Sequence, residues 1–373
     1  MGLLKLERKI LNYLIDKSFI TGLKIGEYKN IWRKRKLWKK VKLTKVQKEK
    51  LQTNFINYFG RKYSDKWHRL YQSYTGRFDE NYFPEILFST KLEPILNSRS
   101  ISNVLQDKNL LETLYGSVEG IRIPKTLIGN SYGTYYVDAG SKRKIADFQS
   151  VCRYIKNTEK VVMKPAVGTS SGKGVKICKF KDGIDEYTGK SVKEILRPYK
   201  ENFVIQEYIE NCMELKALHD DSVNTLRIVT YILEGKLHHL PLALRIGCNG
   251  NKVDNGHAGG LGIGLSDDGY LNEYAYTDFE KYKEHPNSKI TFHHYLIPNV
   301  PKAIHMAYLC HTKTPQVKMI SWDITIDKDL EIVLIEANMF GQSIWPPQLL
   351  HGLSAFGKNT SKMFRIISRK NHS

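Results

Sequence analysis

Residues 161–180 read VVMKPAVGTSSGKGVKICKF, a glycine-rich turn with a lysine inside it. A phosphate-binding P-loop reads GxxxxGK[ST], follows a buried strand and opens a helix. Here three residues, not four, separate Gly168 from Gly172-Lys173, and Gly174 stands where Ser or Thr would bind Mg²⁺. Beyond the turn, VKICKF (175–180) alternates with the period of a strand rather than of a helix. The stretch is therefore expected to be strand, Gly/Ser loop, strand. Such a hairpin loop can still cover phosphates, because small residues let backbone N–H groups approach an anion and glycine tolerates φ > 0. Lys164, on the leading strand, would set an ammonium against the same phosphates. The alternative is a plain β-hairpin.

Three segments downstream bear on that choice. NFVIQEYIE (202–210) is an apolar strand running into a polar hinge, which offers backbone groups to a purine edge and a nearby carboxylate to ribose hydroxyls. SVNTLRIVTYIL (222–233) sets Asn224 and Arg227 at the start of another strand. An arginine beside a transferring phosphoryl group is the expected charge stabiliser. MISWDITIDKDLEIVLIEANMFGQ (319–342) reads as two strands joined at Asp327-Lys328-Asp329. Asp323 lies on the first, while Glu336 and Asn338, two apart, share a face of the second. Three oxygen ligands without His or Cys suit a hard cation such as Mg²⁺. A surface hairpin with scattered acids fits less well, because Ile, Val and Leu flank the carboxylates.

Composition bounds the rest. The chain has 373 residues, is 41% hydrophobic and 26% charged, and contains 41 aromatic side chains (14 Phe, 5 Trp, 22 Tyr), enough for more than one cored domain. Its 58 Lys+Arg against 38 Asp+Glu give a formal charge of +20, which points to an anionic partner or to a basic, solubilising segment. Five cysteines form no CxxC, which argues against a disulfide framework and a structural zinc site and suits a reducing, cytoplasmic setting. The paired histidines at 238–239 and 293–294 lack partners at ligand spacing and are expected to be structural. No apolar run approaches the ~20 residues that span a bilayer.

Near the N-terminus Leu3, Leu6, Ile10 and Leu14 recur at helical spacing among lysines and arginines. The basic run WRKRKLWKKVKLTK follows, with Trp32 and Trp38 among the cations. It reads either as a basic helix packed on the protein body or as peripheral contact with an anionic membrane surface. No nucleic-acid reading module accompanies the charge, so nucleic acid is not an expected partner. Four regions are expected: a basic, mostly helical 1–100; a linker at 101–150; a nucleotide-binding lobe at 151–212; and a metal- and substrate-binding lobe at 213–373.

Together these segments resemble the ATP-grasp superfamily. The resemblance rests on Lys108 in QDKN, VVMKP with Lys164, the Gly loop at 168–174, the hinge IQEYI, and D-x12-E-x-N over Asp323, Glu336 and Asn338. Within the superfamily, YQSYTGRFDENYFPEILF, SVNTLRIVT and DNGHAGGLGIGL look like the sugar-transfer-associated ATP-grasp proteins. The likeness covers about residues 43–350. It implies an α+β ATP-grasp fold, two lobes clasping ATP between antiparallel sheets, preceded by a smaller, mostly helical N-terminal region.

The resemblance also implies a reaction: ATP phosphorylates a carboxylate, and an amine attacks the acyl phosphate. The implied cofactors are ATP and Mg²⁺, with Mn²⁺ as an alternative. Lys108, Lys164 and the loop residues Gly168, Thr169, Ser170, Ser171 and Gly172 would hold phosphates. Gln206, Glu207, Tyr208 and Ile209 would frame adenine, and Glu210 or Glu214 would take the ribose. Asp323, Glu336 and Asn338 would hold metal. Arg227 would stabilise the phosphoryl group in flight, and Arg245 would bind the acceptor carboxylate or simply be salt-bridged on its strand. Asn224, Asp254, Asn255 and His257 are the substrate candidates, the last three on a Gly-rich segment that reads equally as a turn holding two strands. Relatives of this type are associated with surface polysaccharide, which implies a sugar acid or amino acid of a capsule precursor as substrate. A kinase acting on a sugar, and a non-catalytic nucleotide- or glycan-binding protein, are the competing readings.

Overall fold

The structure, a computed structural model, describes residues 2–138, 143–168, 172–254 and 259–370. The chain separates into two compact units: Met1–Ser98 with Phe340–Ser373, and Arg99–Met339. The tail therefore departs from the expected 213–373 lobe and clusters with the first unit. Its final helix, Thr360–Lys370, carries Phe364, which is fully buried among the aromatic side chains of that unit.

The first unit is helical. Gly2–Arg33 is one long helix. Lys45–Phe59 opens on a capping box between Thr44 and Gln47 and stops at Gly60, whose φ of 64° only glycine adopts without strain. The core is aromatic: Phe83 stacks on Phe364 at 4.8 Å between centroids, and Phe55 and Phe59 close on the same ring at 6.0 and 5.4 Å. A π-helical turn at Phe88–Leu92 lies between two buried carboxyls, Glu85 and Glu93. They accept the backbone N–H groups of Ile344 and Gln342, tying the returning tail down.

The second unit holds two sheets, which among the described residues have nine and seven strands. The larger runs Ile121–Arg122, Ile332–Asn338, Met319–Ile326, Thr225–Leu233, Leu242–Ile246, Leu261–Leu265, Leu271–Tyr276 and Lys281–Tyr282, with Lys236–His239 also on Thr225–Leu233. All pairs are antiparallel except the first, Ile121–Arg122 on Ile332–Asn338. Its interior face is nearly continuous aliphatic core, and Met319–Ile326 is buried along its whole length, so it reads as a central strand. The smaller sheet runs Arg143–Ala146, Thr134–Asp138, Thr126–Ser131, Phe203–Glu207, Thr158–Pro165, Lys176–Lys181 and Ile184–Asp185. Thr158–Pro165 pairs antiparallel with Lys176–Lys181, so the opening stretch is a hairpin and not a P-loop.

Candidate active site

Sheet register builds the site. Asp323 stands opposite Arg227 on one neighbouring strand and Glu336 on the other. Directly opposed residues of antiparallel strands project to the same face, so the three charges form one row. Two residues along, alternation brings Thr225, Ser321 and Asn338 to that face, and Arg245 enters it opposite Thr225. Arg227 grips Asp323 with Nε at 2.7 Å and a second nitrogen at 3.2 Å, and donates to Ser321 Oγ at 2.9 Å. Arg245 donates to Asp323 Oδ2 at 3.1 Å and Thr225 Oγ1 at 2.8 Å, and its Nε is 3.5 Å from Asp254. The Thr225 hydroxyl donates to Asp254. Burial pushes the Asp254 carboxyl up despite Arg245. Burial also lowers Arg227, against Asp323, whereas Arg245 is raised because Asp254 and Asp323 outweigh its desolvation.

A β-bulge brings in the lysines. Asp323 faces Glu336 but Ile324 faces Leu334, so Ile335 is an extra residue in its strand. Its carbonyl accepts from Lys164 Nζ at 3.4 Å. Lys108 sits in a short 3-10 turn, Lys108–Leu110, capped by Asp107, and its N–H donates to Ala166 O just past Lys164. Its ammonium meets Glu336 Oε1 at 2.7 Å. Burial, then the Lys108 charge, brings Lys164 down to about 8, against the pull of Glu336 and Asp323. Burial would raise Glu336, but Lys108 first, with Lys164 and Arg227, holds it below the usual carboxylate range. Four cations and three carboxylates thus share one face.

The Gly loop approaches from the smaller sheet. Gly168, Gly172 and Gly174 have φ of 69°, 69° and 80°, which explains three glycines in seven residues. A Cβ on Gly172 would come within 3.2 Å of Val253, the residue before Asp254. Thr169, Ser170, Ser171, Asn255 and His257 lie outside the described residues. In the hinge, the Glu207 and Tyr208 N–H groups donate to Lys125 O and Lys160 O. The Glu207 carboxylate is held by Arg122 at 2.9 Å and by Lys125 N at 2.7 Å. Ile209 is buried, Glu210 is exposed and Glu214 half-buried. Gln206 donates to Pro124 O and Thr126 Oγ1, while its buried Oε1 has no hydrogen-bond partner.

Asn224 is not brought to the charged face. Its amide nitrogen donates to Leu215 O and His219 O, both at 2.8 Å, and its Oδ1 accepts from Ser222 and Gly247, so the side chain's hydrogen-bonding capacity is spent inside the protein. Sequence reasoning missed Thr225 and Ser321, which alternation from Arg227 and Asp323 could have found. It also missed Arg122, which links Glu207 to Asp327 at 3.0 Å and has no local signal. Among the described residues no three His, Cys, Asp or Glu side chains gather as a metal group. The candidate set is two carboxylates and the Asn338 amide on paired strand positions, an all-oxygen donor set that fits a hard divalent cation.

The family profile described as sugar-transfer associated ATP-grasp matches residues 87–362. No curated protein is significantly similar in sequence. Similar solved structures include the VanG D-Ala:D-Ser ligase from Enterococcus faecalis, at 13% identity over 70% of this chain and 60% of that one, TM-score 0.39. N5-carboxyaminoimidazole synthetase from Staphylococcus aureus complexed with ADP is 11% identical over 68% and 52%, TM-score 0.37. The biotin carboxylase domain of Hydrogenobacter thermophilus 2-oxoglutarate carboxylase, in complex with MgADP, ADP and bicarbonate, is 14% identical over 74% and 48%, TM-score 0.42. The chain thus spans about half the length of these three solved chains, from 48% to 60%.

Proposed function

The chain belongs to the sugar-transfer associated ATP-grasp family, and from that premise we propose that it is an ATP-dependent carboxylate–amine ligase. The observation that carries the proposal is the single row Arg227–Asp323–Glu336, with Arg245, Lys108 and Lys164 closing on it. Asp323, Glu336 and Asn338 would hold Mg²⁺, which supplies Lewis-acid neutralisation of phosphate oxygens when bound. Lys108 and Lys164 bind the phosphate chain. The buried Gln206 Oε1, which lacks a hydrogen-bond partner, would accept from the exocyclic amino group of adenine. Arg227 stabilises charge on the phosphoryl group in flight, and Arg245 orients the acceptor carboxylate.

In the first step a carboxylate oxygen bonds to the γ-phosphorus and the bond to ADP breaks. In the second the amine nitrogen bonds to the acyl carbon, the carbon–oxygen bond breaks, and the amine proton leaves with the phosphate. Carboxylate and γ-phosphate repel each other, so the cations are needed before either step. We place the substrate among sugar acids and amino acids of surface-polysaccharide precursors, which fits the sugar-transfer association of the family.

The test is phosphate release across a panel of uronic acids, amino acids and amines. Release that requires ATP, a divalent cation, one carboxylate and one amine together, and that Asp323→Asn abolishes, supports the ligase. A stable phosphorylated product without free phosphate would make it a kinase. Wild-type protein without divalent-dependent nucleotide affinity would overturn both.

A further inference from the structure

The long helix Gly2–Arg33 packs one face and exposes another of unusual chemistry. Leu23, Glu27, Ile31 and Lys34, spaced by four, four and three, form the inward face, with Ile31 and Lys34 at 3% and 4% exposure. On the opposite side stand Leu11, Leu14, Ile15, Ile25 and Trp32, exposed at 57, 54, 52, 51 and 55%, with Tyr28 (47%) at the edge, its ring 6.1 Å from that of Trp67. On a wheel of 3.6 residues per turn they fall in one stripe, which Ser18 and Gly22 continue with small side chains. Lys17 and Lys24 border the stripe on one flank, while Lys29 and Arg33 stand at its other edge, in line with Leu11 and Ile15, all exposed. Exposed Arg35, Lys36, Lys39 and Lys40 extend the positive charge beyond it. Trp38, by contrast, is buried and donates to Ile31 O at 2.8 Å, so of the two tryptophans in the basic run only Trp32 belongs to the outer face.

A solvated helix face is ordinarily polar, and five large apolar side chains on it mark an interaction surface. We propose that this face lies on an anionic lipid surface, with the apolar stripe at the acyl boundary and the flanking lysines and arginines at the headgroups. Charge decides against a second copy of the chain, because stripe-to-stripe contact would set rows of cations against each other. Contact with nucleic acid would use the cations and leave the stripe in water. No helix among the described residues is long and apolar enough to cross a membrane, so the contact is interfacial.

The test uses the full chain and sedimentation with vesicles of phosphatidylcholine alone or mixed with phosphatidylglycerol. Binding is expected only with the anionic lipid, to weaken with salt, and to shift Trp32 emission to the blue. Leu14→Gln/Ile25→Gln/Trp32→Gln, with unchanged helix content, should abolish binding. Lys24→Gln/Lys29→Gln should weaken it about 30-fold at low salt, from roughly 1 kcal/mol per cation near such a surface. Failure of the wild type to bind, equal binding to neutral vesicles, or wild-type binding by the stripe variant would each overturn the proposal. So would a wild-type dimer that the stripe variant dissociates.

Discussion

Lys108 and Glu336 are a close ion pair in which the cation is 8% exposed and the carboxylate a quarter exposed. Removing one partner leaves the other charge poorly solvated, a larger penalty than the pair's net worth. Lys108→Met should therefore cost about 2 kcal/mol in urea denaturation and at least a hundredfold in nucleotide turnover. Adding Glu336→Gln should restore much of the stability and none of the turnover, which separates the two roles. Asn224 predicts the opposite split. Asn224→Leu strips Gly247 N, Leu215 O and His219 O of a partner at once and should cost about 3 kcal/mol. Nucleotide KM of the folded fraction should not move. A large KM change would return Asn224 to the substrate side.

At the scale of elements, the site depends on one irregularity and one close approach. The bulge at Ile335 turns a carbonyl out of the ladder toward Lys164. The close approach is at Gly129, where an added Cβ would come within 2.0 Å of the Tyr136 ring. That ring donates its hydroxyl to Asn109 at 2.8 Å, beside Lys108 in the same short turn. Gly129→Ala must displace Tyr136, so it should cost about 1–3 kcal/mol. It should also shrink the thermal shift that nucleotide produces, because the turn carrying Lys108 loosens. Unchanged denaturation would mean that the ring has room to move and that Asn109 does not position the lysine.

For the molecule as a whole, the first unit carries buried acid chemistry of its own. Burial pushes Glu93 up to about 8 and Glu27 up to about 7, and raises Glu85 as well, with Glu27 beside it. Backbone N–H groups of Gln342 and Gly341 pull Glu93 back only in part. The folded chain therefore keeps protons that the unfolded chain releases above the ordinary carboxylate value of 4.5. Stability is full below that value and falls as pH climbs through about 8, by at most about 1.4 kcal/mol per pH unit for each such group. Thermal melts of Glu93→Gln, which keeps an acceptor for Gln342, should show a shallower decline between pH 5 and pH 8 (roughly the titration window). An unchanged slope would place the Glu93 titration outside that range.

Much of the fold and part of the site could be read locally. The hairpin at 161–180 followed from one missing residue and a period of two, and Glu336 with Asn338 from the same period, because alternation within a strand is decided by neighbours in sequence. Tertiary pairing decided the rest. Nothing near Lys108 indicates that its ammonium meets Glu336, and nothing near Arg122 indicates that it joins Glu207 to Asp327. Polarity alone could not separate Arg227, on the charged face, from Asn224, turned into the core. The basic run likewise left Trp32 and Trp38 equivalent, and only packing against Ile31 sent one inward and the other out. Period and composition fix which way a side chain can point; which partner waits there depends on strand register and helix packing between segments far apart in the chain.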